Sequence, residues 1–161
     1  MGYNCVVLVK QVPDTQRISG KVMNDDGTVN RAALPAIFNP EDLNALEMAL
    51  QIKDKYGGKV TAITMGLPTA ANTLRQALYR GADEAVLITD IKAAASDTLA
   101  TSYILSCAIK KLDYDIVLCG RQAIDGDTAQ VGPQAAEKLG LTQISYVEEL
   151  GEIAGDTITV K

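Results

Sequence analysis

The chain has 161 residues, 47% hydrophobic and 22% charged, with a formal charge of -5 and no Trp. That composition describes one globular domain and excludes disorder, while the negative charge and scarcity of aromatics argue against nucleic-acid binding. No apolar run reaches membrane-span length and no secretory signal opens the chain, so a cytoplasmic protein without membrane insertion is expected.

Cys5–Val9 is a continuous apolar run, as expected of a strand covered on both faces. Residues 13–37 carry Pro13, Gly20, Asn24-Asp25-Asp26-Gly27 and Pro35, which predicts a hairpin or long excursion centred on Asp26-Gly27. Asn39-Pro40-Glu41-Asp42 opens a helix: Asn39 is a candidate cap, Pro40 suits the first position and two acids suit the first turn. Gly57-Gly58 ends it, and Val60–Thr64 is the next strand.

A helix from about Thr69 to Gly81, a strand at Ala85–Ile88 and a helix at Thr98–Leu112 continue the alternation. Asp115–Leu118 is a further strand, followed by a helix ending near Gly140. Short apolar strands alternating with helices predict an α/β fold with a doubly wound, mostly parallel sheet. The pattern then changes: Ile144–Leu150 and Asp156–Val160 suggest two antiparallel strands joined around Gly151–Gly155.

In such sheets a ligand sits beyond the carboxyl ends of the strands. The chain has no G-x-G-x-x-G after its first strand and no P-loop, so neither familiar phosphate cradle is present. It has no His, which removes the commonest base and metal ligand, and its three Cys form no C-x-x-C pair. Redox chemistry here would come from a cofactor. The polar stretch Cys119–Gln134 follows a strand and leads into a helix. Its Arg121, Asp125 and Asp127 leave a net side-chain charge of -1, so a phosphate would have to be met by backbone N–H groups and the helix start.

Gly126 and Gly132 allow close approach, Thr128 and Gln130 are neutral donors, and the two aspartates suit ribose hydroxyls or N–H caps. Asp127 with Gln130 equally fits a capping box, and Pro133 equally fits a helix start. Lys10 suits a phosphate or a neighbouring acid, and Ser96-Asp97-Thr98 suits a helix cap. The order Asp125-Gly126-Asp127 does not fit an EF-hand.

Val9-Lys10-Gln11-Val12-Pro13-Asp14, Asn39-Pro40-Glu41-Asp42, Arg80-Gly81-Ala82-Asp83 and Gly120-Arg121-Gln122-Ala123-Ile124-Asp125 together resemble the β subunit of electron transfer flavoproteins. The resemblance implies an adenine-nucleotide α-hydrolase-like (HUP) fold and a heterodimer with an FAD-carrying α subunit. It places an adenine nucleotide against Leu8, Lys10, the helix start from Asn39 through Glu41 to Asp42, Met65, Gly66 and the loop Gly120, Arg121, Gln122, Ala123, Ile124, Asp125, Gly126, Asp127, Thr128, Ala129, Gln130 and Val131.

The continuation Gly126-Asp127-Thr128-Ala129-Gln130-Val131-Gly132-Pro133, with Ser96-Asp97-Thr98-Leu99-Ala100-Thr101, resembles the electron-bifurcating subtype, which adds Asp97 and Thr98 to the expected site. That subtype implies FAD in place of structural AMP, NADH as electron donor, and an acyl-CoA dehydrogenase-type flavoenzyme and ferredoxin or flavodoxin as partners. The alternatives are a carrier subunit holding AMP and a free-standing adenine-nucleotide-binding regulator. The resemblance also makes 1–161 a single nucleotide-binding domain lacking the family's C-terminal segment, which helps clasp α and dock redox partners.

Overall fold

The computed structural model describes residues 2–14, 16 and 34–161. Strand β1 (Cys5–Leu8) is fully buried, as its unbroken apolar sequence requires. Two short strands follow, β2 (Gln11–Pro13) and β3 (Ala36–Phe38), paired antiparallel at the base of the excursion. The expected turn at Asp26-Gly27 lies outside the described residues.

Helix α1 (Pro40–Tyr56) has Pro40 in its first turn and ends where Gly57 takes φ 80°. It buries Ala45, Leu46, Ala49 and Ile52 against the sheet. Full burial of Leu46 or Ile52 contributes about 1.5–3 kcal/mol each. Next come β4 (Val60–Met65), a 3-10 turn at Pro68–Ala70, and α2 (Ala71–Arg80), which Gly81 closes at φ 118°. The predicted start at Thr69 therefore falls in a tighter 3-10 turn. Strand β5 (Glu84–Ile88), α3 (Thr98–Ile109), β6 (Ile116–Cys119) and α4 (Val131–Leu139) complete the alternation. Helix α3 ends three residues short of the predicted Leu112, its last turn tightening through a Leu112 N–H to Ile109 bond of 2.9 Å.

The main sheet is parallel, in the order β5-β4-β1-β6. From β1 the chain winds outward through β4 to β5, then α3 carries it back across to β6 on the other side of β1. The α/β, doubly wound, mostly parallel fold is as expected. Winding reverses between β1 and β6, so their carboxyl ends diverge into different connections and leave a crevice. Apolar residues of α1 and α2 cover one face of the sheet, including Leu46, Ala49, Leu74 and Ala77. Leu105 and Ile109 of α3 cover the other, against Val6 and Ile63.

The C-terminal hairpin differs from expectation. Its strands are β7 (Leu150–Ala154) and β8 (Thr157–Val160), so residues 144–149 are not a strand and Gly151 is not in the turn. Ala154 pairs with Thr157, leaving Gly155-Asp156 as a two-residue loop with Gly155 at φ 58°. Gly151 instead sits where a Cβ would meet Thr159 at 3.1–3.3 Å, a close approach beside a bulge. Ile153 docks the hairpin in the core, and its N–H donates to Tyr56 Oη at 3.0 Å. A groove of about 750 Å³ runs along the outer edge of β6, between α1, α4 and residues 141–150.

Candidate functional site

The site is built where the start of α1 meets the strand ends. Asp42, buried in the first turn of α1, accepts the Lys10 N–H on Oδ2 at 2.9 Å and the Gly120 N–H on Oδ1 at 3.2 Å. One carboxylate thus straps the residue past β1 to the residue past β6, across the crevice. This requires Gly120 to lack a side chain, because a Cβ there would strike Asp42 Oδ1 and approach the Glu41 carbonyl carbon to 2.7 Å. Burial pushes the Asp42 carboxyl up to about 7, against the opposing pull of the Asn39 side chain, the two N–H donors and the Lys10 ammonium.

Asn39 occupies the cap position of α1, but its side chain makes no cap bond, which corrects that expectation. Instead its Nδ2 donates to the Gln122 carbonyl at 2.9 Å and its Oδ1 accepts the Ile124 N–H at 3.2 Å. The amide thereby supports a stretch of chain 83 to 85 residues away. Glu41 completes the attachment: it accepts the Gln122 N–H at 3.1 Å and pairs with Arg121 through both oxygens, the shorter contact being 2.9 Å. Glu41 lies within the helix start that the resemblance includes, but its role in holding the loop is not legible from the residue alone. The signal is an acid at a helix start facing a strand-end loop, but a first-turn acid reads first as a dipole partner.

Beyond Ile124 the loop turns back on itself. The Ala123 carbonyl accepts from Gly126 N–H at 3.3 Å and Asp127 N–H at 2.9 Å. Asp127 and Ala129 both adopt left-handed backbone, at φ 49° and 53°, a conformation that costs a non-glycine residue energy and that clusters at ligand sites. Asp127 does not cap α4; its Oδ1 accepts from Gln122 Nε2 at 2.9 Å. Helix α4 starts at Val131, ahead of Pro133, with Gln130 at the cap position and no side-chain cap bond.

The N–H groups of Thr128, Ala129 and Gln130 have no acceptor among the described residues, and those of Val131 and Gly132 begin α4, where none is available within the helix. The Thr128 hydroxyl likewise has no partner among the described residues. Gly126 keeps an ordinary φ, and a Cβ there would meet nothing within 4 Å.

Two cations of the site, Lys10 and Arg121, are paired with acids. Lys10 Nζ lies 2.7 Å from Asp125 Oδ1, so of its two open readings the acid is the partner found. Arg121 is held by Glu41, whose hydrogen bond and then charge raise the guanidinium above its usual value. Asp97 caps α3 by accepting the Ala100 N–H at 2.8 Å. Thr98 is brought to the loop: its hydroxyl donates to Gln130 Oε1 at 2.9 Å, and Gln134 and Ser102 extend that network.

The Leu8 side chain is buried in the core, so only its backbone stands at the strand end. Met65 and Gly66 end β4 on the other side of β1, with the Gly66 N–H bonded to the Ile88 carbonyl at 3.0 Å. The predicted residues thus fall along the ends of β4, β1 and β6 and the starts of α1, α3 and α4. Among the described residues no His/Cys/Asp/Glu group could hold a metal ion, and no helix is long and apolar enough to cross a membrane. The donors left open are neutral N–H groups at a helix start, a fit for the phosphates of an anionic nucleotide.

Comparison with known proteins identifies the family. Residues 26–161 match the model of the electron transfer flavoprotein domain. The chain is 55% identical over 158 residues to an electron transfer flavoprotein subunit beta of Clostridium acetobutylicum, covering 98% of this chain and 60% of that one. It is 54% identical over 159 residues to the acryloyl-CoA reductase electron transfer subunit gamma of Anaerotignum propionicum, covering 96% and 58% respectively. It is 50% identical over 163 residues to the protein FixA of Azorhizobium caulinodans, covering 97% and 57%. The chain therefore spans about three fifths of the length of these relatives. It belongs to the electron transfer flavoprotein family, among the β-type subunits.

Proposed function

We propose that this chain holds FAD at the β1/β6 crevice and, paired with an electron transfer flavoprotein α subunit in the cytoplasm, accepts a hydride from NADH. The electron pair is then divided between an acyl-CoA dehydrogenase-type flavoenzyme and a low-potential ferredoxin or flavodoxin. The observation that carries the nucleotide reading is the row of N–H groups from Thr128 to Gly132 without acceptors among the described residues, next to open space at Gly126. The name of the acryloyl-CoA reductase subunit supports the acyl-CoA side of the proposal.

In this reading the flavin, when bound, supplies hydride acceptance and one-electron transfer. The chain's own residues bind and orient. Thr128 and the N–H groups that follow it meet the pyrophosphate, while Asn39, Glu41 and Asp42 hold the loop in register. Lys10 and Arg121, already paired, contribute little net charge. The test is anaerobic addition of NADH to the heterodimer: flavin absorbance bleaches, and Gly126→Glu, which puts bulk and negative charge where a Cβ meets nothing within 4 Å, suppresses that bleaching. An unbleached flavin in a complex that still binds FAD at this site would contradict the NADH assignment.

A further inference from the structure

The Asp42 strap is unusual in what it joins. Its two oxygens serve different backbone donors, Lys10 N–H on Oδ2 and Gly120 N–H on Oδ1, and these lie on opposite sides of the crevice. Each donor leads straight into a loop contact. Lys10 continues into the side chain that grips Asp125, and Gly120 is followed by Arg121 and Gln122, both held by Glu41. We propose that Asp42 is a proton-controlled positioning residue: ionised, it fixes the separation of the β1 and β6 ends, and protonated, it releases one of them.

The chemistry is a matter of lone pairs. A carboxylate accepts on both oxygens, whereas a neutral carboxylic acid keeps one good acceptor and turns the other oxygen into a donor. Both oxygens are in use, so a proton taken up on either one makes that oxygen a poor acceptor and loosens the backbone N–H it holds. No second carboxylate takes over, because Glu41 is committed to Arg121 and Gln122 N–H, and Asp125 to Lys10.

Of the charged and titratable groups around the strap, Lys10 at the end of β1 and Cys119 on β6 interact with Asp42 directly, whereas Glu41 beside it on α1 pairs with Arg121, Asp125 pairs with Lys10 and Asp127 bonds to Gln122. Cys119 keeps an exposed face, but its sulfur backs onto Gly132. Burial and then the Asp42 charge push its thiol up to about 11, so it stays protonated near neutrality. Burial places the Asp42 midpoint at about 7.

The sign follows from that placement. As pH falls through the midpoint Asp42 takes up a proton and the strap opens; as pH rises the strap closes. The expectation for ligand affinity rests on the nucleotide reading above, but the strap itself does not. If FAD requires the closed strap, its affinity falls about tenfold between about pH 8 and about pH 6, the limit for one fully coupled proton. FAD is the suitable probe because its pyrophosphate does not titrate in this range.

The test is a pH titration of the nitrogen-15-labelled free chain, following the amide resonances of Lys10 and Gly120. Both shift with one shared midpoint near neutrality, and Asp42→Asn abolishes that midpoint at both positions. Amide resonances that stay flat in the native chain, or a midpoint that survives in Asp42→Asn, would overturn the proposal. FAD titrations at the two pH values read the coupling separately. Equal affinities alongside a titrating strap would remove the link to binding, whereas no FAD binding at either pH would count against the nucleotide reading and leave the strap standing.

Discussion

At the scale of single residues, the site separates charge that stabilises the protein from donors left for a ligand. Lys10 and Arg121 are each paired with an acid and about half exposed, so each pair contributes little to stability. Thr128 is different, with a hydroxyl and an N–H that no described residue uses. Replacing Thr128 by Val should leave the melting temperature unchanged and weaken FAD binding by about 0.5–1.5 kcal/mol, read by calorimetry. Thr73 is buried in α2 with its hydroxyl unpartnered among the described residues. Thr73→Val keeps the shape and removes a desolvated group, so denaturant unfolding should show a gain of about 1 kcal/mol.

Asp42 has the opposite sign from an ordinary paired carboxylate. Its raised midpoint means the folded chain holds a proton that the unfolded chain has released between about pH 4 and 7. This group's contribution to stability is therefore lost as pH rises through that window, by an amount on the order of a few kcal/mol. The stability of Asp42→Asn relative to the native chain should rise across the same window, and a difference independent of pH would contradict this. That Asn39 and Asp42 would matter was legible in Asn39-Pro40-Glu41-Asp42. What they do was not, because local sequence does not distinguish a side chain that caps its own helix from one that bridges to residue 120 or 124.

Among the elements, helices and their ends were the most legible. Pro40 at a start and Gly57, Gly81 and Gly140 at ends act through backbone geometry that needs no distant partner. The hairpin was least legible. Ile144–Val147 has β-prone residues but does not form a strand, and Tyr146 there takes φ 58°. Strand pairing begins only at Leu150, and two glycines four residues apart offered two places for the turn. The choice depended on Ile153 reaching the core and on Gly151 fitting against Thr159.

Element contacts also make contrasting predictions for two glycines. Gly120→Ala forces α1 and the β6 end apart and should cost about 1–3 kcal/mol in chemical denaturation, since an added Cβ meets backbone there. Gly126→Ala meets open space and should stay within about 0.5 kcal/mol of the native chain. If the two substitutions cost the same, the attachment of the loop to α1 has been misjudged.

For the molecule as a whole, the parallel α/β architecture was legible from alternation alone, whereas the order β5-β4-β1-β6 was not, since it depends on which strands meet across long loops. That order places the polar loop after β6 beside Lys10, and so makes a crevice out of segments far apart in sequence. The central claim is that this crevice takes FAD. It is tested most directly by denaturing the heterodimer purified with its α subunit and quantifying the released nucleotides. With one FAD attributed to α, a second FAD per heterodimer and no AMP are expected. One FAD and one AMP per heterodimer would contradict it.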